Sequence, residues 1–198
     1  MTKTGSSSEP ESLPAIKARV RARYRQVREA MTAAEVQASS IALCRRLAKW
    51  DVLRRARRVM AYIAFRNELD LAPLFRARSD VDWIVPRVVR KKMVLHPYAP
   101  GRLIRHRFGM LEPAADLPIV TPDTLDVVLV PGVAFDSAGG RMGFGGGFYD
   151  GFLPTTGALR VGITFDACMM NRVPGDTHDQ RMDWVATPTQ ILKVSGDA

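Results

Sequence analysis

A strand pattern followed by a glycine-rich loop constrains the fold of this chain more than any other feature. Leu125 to Val130 is a Val/Leu-rich run, which is typical of a strand buried on both faces of a sheet. The next segment has glycines at 143, 145, 146 and 147 and leads into a short helix predicted over about Gly147 to Leu153. Helix starts favour anions, and ligands of open α/β sheets collect at the carboxyl ends of strands. The sequence therefore predicts an anion-binding loop here.

The glycine spacing matches neither of two familiar phosphate-binding motifs. No G-x-x-x-x-G-K-[ST] segment occurs, and the glycines do not give G-x-G-x-x-G. The alternative interpretation is a tight turn that only needs positive φ angles. Arg141, Tyr149 and Asp150 flank the glycines. They favour a functional loop, because an arginine at its entrance adds a charge-assisted contact to a phosphate.

The rest of the chain alternates between helical and extended patterns. Apolar residues at helical spacing predict a first helix over Ala15 to Ala30. Thr32 and Glu35 form a capping box for a second helix that runs to about Trp50. This alternation indicates an α/β layered sheet. The other predicted elements are strands at Val59–Phe65, Trp83–Val85 (ended by Pro86), Lys92–His96, Arg160–Phe165 and Trp184–Ala186, a helix at Leu69–Ala77 and a loop at Pro97–Pro122.

Positive charge is concentrated in one stretch of the chain. Lys and Arg number 29 against 20 Asp and Glu, so the formal net charge is +9 and the pI about 10.1. The stretch from Lys17 to Arg58 holds 13 basic and 3 acidic residues, a local excess of 10. On a helical wheel, Lys17, Arg21 and Arg28 fall along one border of the first helix's apolar stripe. This charge favours a polyanionic partner such as a nucleotide, an acidic small molecule or a nucleic acid.

Length and composition exclude several classes of protein. The 198 residues are 46% hydrophobic and 25% charged, as in ordinary globular proteins. We expect a disordered tail over residues 1–13 and one α/β domain over residues 14–198. The start of the chain lacks the apolar core of a signal peptide, and the apolar stretch Val127–Phe135 is too short to span a membrane. Together with the unclustered Cys44 and Cys168, this predicts a cytoplasmic protein.

The glycine block resembles the signature of the 5-formyltetrahydrofolate cyclo-ligases, also called 5,10-methenyltetrahydrofolate synthetases. The block comprises Pro131-Gly-Val-Ala-Phe-Asp136 and Gly140-Arg-Met-Gly-Phe-Gly-Gly-Gly-Phe-Tyr-Asp150. Weaker matches follow the family's order, and the likeness covers roughly Ala15 to Ile191. These matches are Lys17-x-x-x-Arg21, Glu68, Pro86-Arg87-Val88, Phe108-Gly-Met-Leu-Glu-Pro113 and Pro174…His178-Asp179…Asp183.

The resemblance implies a fold and a reaction. The fold is a three-layer α/β/α sandwich around a mostly parallel, Rossmann-like sheet, with two amino-terminal helices. The reaction is the ATP-dependent cyclisation of 5-formyltetrahydrofolate to 5,10-methenyltetrahydrofolate, with release of ADP and phosphate. The formyl oxygen is phosphorylated and N10 then attacks, so the protein mainly positions reactants and neutralises charge. We expect a monomer that binds this folate and Mg-ATP, with no membrane partner and only incidental binding to nucleic acid.

The resemblance also implies roles for particular residues. Lys17, Arg141 and Tyr149 are expected to act in catalysis, and Asp150 and Asp179 to bind Mg²⁺, which prefers oxygen ligands. The expected folate contacts are Ile63, Glu68, Gly145, Gly147, Phe148 and Tyr149. The expected ATP contacts are Lys17, Arg21, Arg141, Met142, Gly143, Phe144, Gly145, Gly146, Gly147, Phe148 and Tyr149.

Simpler interpretations of these residues stay open. Lys17 and Arg21 would then be solvated helix cations, Glu68 a loop charge and Asp179 a turn residue. Two positions also depart from the family's pattern. Phe148 stands where many members have a tyrosine, and Gly151 where many bacterial members have an arginine. These departures permit a folate- or nucleotide-binding paralogue without turnover, and the basic stretch permits an RNA-binding protein, although no known nucleic-acid module is recognised.

Overall fold

The structure is a computed structural model, which describes residues 11–90, 92–107 and 109–195. Helices and strands alternate along the chain as the sequence predicts. The helices are α1 (Leu13–Glu29), α2 (Ala33–Lys49), α3 (Asp51–Arg55), α4 (Ala72–Ala77) and α5 (Phe148–Phe152). The strands are β1 (Arg58–Met60), β2 (Asp82–Val89), β3 (Lys92–Pro97), β4 (Leu103–Arg105), β5 (Leu111–Pro113), β6 (Val127–Pro131), β7 (Ala134–Phe135), β8 (Arg141–Met142), β9 (Leu159–Ile163), β10 (Trp184–Ala186) and β11 (Ile191–Lys193).

The two amino-terminal helices form as predicted. The capping box of α2 is confirmed, because the Thr32 hydroxyl accepts a hydrogen bond from the Glu35 N–H and the Glu35 carboxylate accepts one from the Thr32 N–H. Helix α1 begins at Leu13, two residues before its predicted start. Residues 1–10 of the predicted disordered tail lie outside the described residues. No helix in the described part of the chain combines the length and apolarity needed to cross a membrane.

Within the described residues, seven strands form a central sheet in the order β11-β10-β9-β6-β1-β2-β3. The strands from β10 to β2 pair parallel with one another, whereas β3 and β11 pair antiparallel at the two edges. β1 and β6 are neighbours in the sheet. β2 lies on the free side of β1, and β9 lies on the free side of β6. Strand order therefore reverses between β1 and β6. In open α/β sheets a ligand crevice lies outside the carboxyl ends of the strands at such a reversal.

Helices cover both faces of this sheet, which confirms the three-layer prediction. Val127 and Leu129 of β6 belong to the core cluster that also contains residues of α2 and α4. Val128 and Val130 point to the opposite face and pack in a second cluster with Phe152 of α5. Because successive residues of a strand point to opposite faces, a strand in the middle layer is apolar throughout.

The predicted strand over Val59–Phe65 is wrong in length. Strand β1 ends at Met60, although the Ala61 N–H still donates a hydrogen bond to the Ile84 carbonyl at 2.8 Å. Tyr62 and Ile63, which follow, line a cavity instead of continuing the ladder. The apolar side chains of Tyr62 and Ile63 therefore form part of the cavity wall and do not extend β1.

The prediction that Pro86 ends a strand is also wrong. Strand β2 continues to Val89 and pairs antiparallel with β3 along this whole extension. β1 pairs only with Asp82 to Ile84. Pro86 lies beyond that paired segment, so its missing N–H costs the sheet no ladder hydrogen bond on that side. The predicted loop Pro97–Pro122 likewise contains the two-stranded ribbon β4–β5.

Candidate active site

A cavity of about 890 Å³ opens at the reversal of strand order. Tyr62 and Ile63, directly after β1, and Pro131, at the end of β6, line one side of it, and cationic residues of α1 line another. All fifteen residues that the resemblance assigns to the site line this one cavity. They are Lys17, Arg21, Ile63, Glu68, Arg141, Met142, Gly143, Phe144, Gly145, Gly146, Gly147, Phe148, Tyr149, Asp150 and Asp179.

The glycine-rich loop joins the β7–β8 hairpin to α5. Arg141 and Met142 form β8 and are buried, while residues 144–147 are exposed. Gly145 has φ +101° and Gly147, the residue preceding α5, has φ +68°. Both angles lie in the left-handed region, which glycine adopts without a steric penalty. The loop thus reaches the start of α5 through a backbone path that side chains at these two positions would strain.

Replacing Gly147 with alanine should therefore destabilise the protein by about 1–2 kcal/mol. A methyl group at Gly147 would meet no atom within 4 Å, so the cost is one of backbone conformation alone. The matched control is Gly151→Ala in α5, where φ is not positive and the space is equally open. We expect the control to be neutral or to stabilise by up to about 1 kcal/mol. Thermal unfolding checks both values, and equal melting temperatures would contradict the strain.

Arg141, at the start of the loop, is held by contacts with Asp150 and Tyr149. Its Nη2 donates a hydrogen bond to Asp150 Oδ1 at 2.5 Å, and its guanidinium lies 5.6 Å from the centre of the Tyr149 ring. Two buried polar atoms here, Arg141 Nε and Tyr149 Oη, have no hydrogen-bond partner among the described residues. Buried polar groups are nearly always paired, so these two donors are available to a ligand in the cavity.

Three cations of α1 hold the loop and its surroundings. Lys17 Nζ donates hydrogen bonds to Asp179 Oδ2 at 2.6 Å and Asp176 Oδ2 at 2.9 Å. Arg21 Nε donates to the Gly143 carbonyl at 3.1 Å, and Arg25 Nη2 donates to the Phe144 carbonyl at 2.8 Å. Partial burial acts to lower the pKa of Lys17, but the hydrogen bonds and charges of the two aspartates outweigh it and raise that pKa. Lys17 is therefore a permanent cation in the cavity.

Glu68 supplies a buried carboxylate to the opposite part of the cavity. Its Oε2 accepts a hydrogen bond from the Phe65 N–H at 2.9 Å, and its Oε1 lies 3.9 Å from Arg28 Nη2. Burial raises the pKa of Glu68, while the Phe65 N–H and the charge of Arg28 act to lower it. A carboxylate in this setting suits a ligand that offers N–H donors.

Asp150 and Asp179 suit a cation that is shared with phosphate groups. Each has a partly exposed carboxylate that lines the cavity beside the glycine loop. The described residues contain no group of three or more His, Cys, Asp or Glu side chains that could hold a metal ion by themselves. Mg²⁺ is commonly bound in this way, by one or two carboxylates together with substrate phosphates and water. The two aspartates therefore fit Mg²⁺ when a nucleotide is present.

The sequence analysis assigned no role to three residues that line the cavity or bind a residue lining it. Arg25 and Arg28 line the cavity, and Asp176 binds Lys17. The helical wheel had already placed Arg28 beside Lys17 and Arg21, but without a role. Arg25 and Asp176 had no local signal, because their contacts join residues more than 100 positions apart.

Comparison with known proteins agrees with this geometry. The sequence model of the 5-formyltetrahydrofolate cyclo-ligase family matches residues 14–188. The 5-formyltetrahydrofolate cyclo-ligase of Escherichia coli (strain K12) is 30% identical over 182 residues, which cover 84% of this chain and 97% of that protein. The 5,10-methenyltetrahydrofolate synthetase of Aquifex aeolicus has a similar structure, with a TM-score of 0.83 and 28% identity over 92% of this chain and 95% of that one. The chain therefore belongs to the 5-formyltetrahydrofolate cyclo-ligase family.

Proposed function

We propose that this protein converts 5-formyltetrahydrofolate to 5,10-methenyltetrahydrofolate, with hydrolysis of Mg-ATP to ADP and phosphate. The observation that carries the proposal is that one cavity brings a cationic glycine loop and a buried carboxylate together. Its volume of about 890 Å³ is near the upper end of the range of small-molecule sites, as two adjacent ligands require.

The two parts of the cavity suit the two substrates. Lys17, Arg21 and Arg141 surround the glycine loop with positive charge, which suits the phosphates of ATP. Glu68 offers a carboxylate to the N–H groups of the pterin ring, and Ile63 and Phe148 add apolar surface beside it. The formyl group of the folate would then lie between the ring site and the γ-phosphate.

The reaction needs positioning and charge neutralisation rather than a protein nucleophile. The formyl oxygen attacks the γ-phosphorus, and the bond from that phosphorus to the bridging oxygen breaks to release ADP. N10 then attacks the formyl carbon and loses its proton, and phosphate departs with the formyl oxygen as the ring closes. Lys17 and Arg141 would neutralise the negative charge that moves between the phosphoryl oxygens during the reaction. Neutralising this charge is the main requirement of phosphoryl transfer.

Asp150 and Asp179 would hold the Mg²⁺ that accompanies ATP. When bound, this ion neutralises phosphate charge. Arg141 keeps Asp150 oriented, and Lys17 does the same for Asp179, through the hydrogen bonds described above. The unpaired Tyr149 hydroxyl is available to a substrate oxygen or nitrogen at the boundary between the two ligands. A cytoplasmic location is part of the proposal, because both cysteines are free thiols, as a reducing compartment would leave them.

The test is an absorbance assay for methenyltetrahydrofolate. Purified protein is mixed with 5-formyltetrahydrofolate, Mg²⁺ and ATP, and ADP is measured in the same samples. We expect product and ADP in equal amounts, and no product when ATP or Mg²⁺ is omitted.

Two other outcomes would favour the alternatives. Binding of ATP and folate without product would indicate a non-catalytic paralogue, which the departures at Phe148 and Gly151 permit. Failure to bind either ligand, together with RNA affinity that survives physiological salt, would indicate a nucleic-acid-binding protein. Part of the basic stretch is already neutralised within the protein, since Arg54 pairs with Asp51 and Arg58 with Asp82, which favours the enzyme.

A further inference from the structure

Arg28, near the end of α1, is a buried cation between the two parts of the cavity. Only 9% of its side chain is exposed, and it lines the cavity together with Glu68 and Phe144. An arginine is rarely buried in this way unless its charge and its donors are matched by nearby groups. The contacts of Arg28 therefore identify the groups that match its charge and its donors.

Arg28 and the segment that carries Glu68 are joined by reciprocal hydrogen bonds. Arg28 Nε donates to the Asn67 carbonyl at 3.1 Å. The Asn67 side-chain amide donates in return to the carbonyls of Arg28, at 2.9 Å, and Met31, at 3.2 Å. This arrangement fixes the turn before Glu68 to the end of α1. It also sets the guanidinium 3.9 Å from Glu68 Oε1, while Oε2 stays bonded to the Phe65 N–H.

The Arg28 guanidinium also contacts the glycine loop. Arg28 Cζ lies 5.3 Å from the centre of the Phe144 ring, within the range of a cation–π interaction. Phe144 is 39% exposed, and its carbonyl accepts the hydrogen bond from Arg25. Arg28 is thus in contact with the folate-side carboxylate and the nucleotide loop at the same time.

The charge of Arg28 has a direct effect on Glu68. The titratable groups that face Glu68 are Arg28 from α1, Tyr62 from the segment after β1 and Tyr149 from α5. Burial raises the pKa of both tyrosines, so they are neutral and supply no compensating charge. Burial also raises the pKa of Glu68, and Arg28 is the cation that opposes this rise.

We propose that Arg28 is a positioning residue that keeps Glu68 ionised and oriented toward the pterin ring, while its guanidinium also packs against Phe144 of the nucleotide loop. The proposal rests on the function proposed above and assigns a role to a residue outside the family-derived set. It predicts that loss of the Arg28 charge weakens folate binding more than ATP binding. It also predicts that, as the pH falls, a variant without the Arg28 charge loses folate binding at a higher pH than the native protein does. The reason is that Glu68 must be ionised to accept hydrogen bonds.

The experiment compares Arg28→Met and Arg28→Lys with Arg19→Met, a matched change at an exposed arginine of the same helix outside the cavity. We expect Arg28→Met to raise the KM for folate about tenfold and the KM for ATP by less than twofold. The acid limb of kcat/KM for folate should move to higher pH, whereas Arg28→Lys, which keeps the charge, should leave the limb in place. Arg19→Met should resemble the native enzyme in every parameter.

A double-mutant cycle with Glu68→Gln separates this role from a structural one. If Arg28 acts through Glu68, Arg28→Met should have no effect on the pH profile in the Glu68→Gln background. A fall in kcat with both KM values unchanged and an unmoved acid limb would overturn the proposal. The pKa of Glu68, followed by carboxyl NMR in the ligand-free protein, gives a readout that does not depend on turnover. If the native protein makes no product the proposed function fails, but a higher Glu68 pKa in Arg28→Met would still support the pairing.

Discussion

Replacing Arg141 with methionine is expected to reduce turnover about a thousandfold. The guanidinium is 4% exposed, is hydrogen-bonded to Asp150 and has an unpaired Nε among the described residues beside the proposed phosphate site. Loss of one preorganised donor to a developing anion costs about 10²–10³ in rate, and loss of an arginine on a transferring phosphoryl group costs more. Methionine has a similar length, so the cavity keeps its shape. Initial rates of methenyltetrahydrofolate formation at saturating substrates measure the effect.

Two companion variants make this result specific. Arg141→Lys keeps a charge but loses the planar fork, and we expect it to recover only part of the rate. Arg172→Met removes an exposed arginine that does not line the cavity, and it should keep native turnover. If Arg141→Met retained more than a tenth of the native rate, Arg141 would not contact the transferred phosphate.

Replacing Asp150 with asparagine is expected to lower turnover about a hundredfold and to raise the Mg²⁺ concentration required for half-maximal activity. The change is isosteric, but it removes one of the two carboxylates proposed to hold the ion. It also removes the charge that faces the Arg141 guanidinium at 2.5 Å. Because only 4% of the Arg141 side chain is exposed, the variant leaves a buried cation facing a neutral amide, and we expect a stability cost of up to about 3 kcal/mol.

A Mg²⁺ titration of turnover, paired with thermal unfolding, distinguishes these effects. The matched control is Asp123→Asn, an exposed aspartate outside the cavity, for which we expect native activity and a native Mg²⁺ requirement. A Mg²⁺ requirement unchanged in Asp150→Asn would show that this carboxylate serves only to orient Arg141.

The sequence predicts the layers of the fold but not the limits of its elements. The apolar run of β6 reflects burial on both faces, and the capping box of α2 reflects two hydrogen bonds between residues three positions apart. Both patterns can be recognised within a short segment, and both form as predicted. Pro86 is different, because whether a missing N–H ends a strand depends on whether a neighbouring strand faces it. The two-residue strands β7 and β8 lie in a glycine-rich stretch whose composition predicts a loop.

The sequence predicts which residues meet in the cavity better than it predicts the contacts between them. Motif resemblance selected fifteen residues, and the fold brings all of them to one cavity. It did not indicate that Arg25 binds the Phe144 carbonyl or that Asp176 binds Lys17. These contacts depend on how the folded chain places α1 beside residues 143–144 and 176–179, which no local spacing encodes. Arg28 is an intermediate case, since helical periodicity placed it correctly and only the structure supplied its partners.

The ion pairs of Lys17 also bear on when an active molecule can exist during synthesis. Lys17 and its two aspartates are separated by 159 and 162 positions, so Lys17 leaves the ribosome long before either aspartate is made. A nascent chain that already contains α1, the sheet from β1 to β9 and the whole glycine loop still lacks the carboxylates that hold Lys17 in place. Completion of the site must therefore follow translation of the segment that carries Asp176 and Asp179. A premature stop codon just before Asp176 should be as damaging to activity as one within the loop.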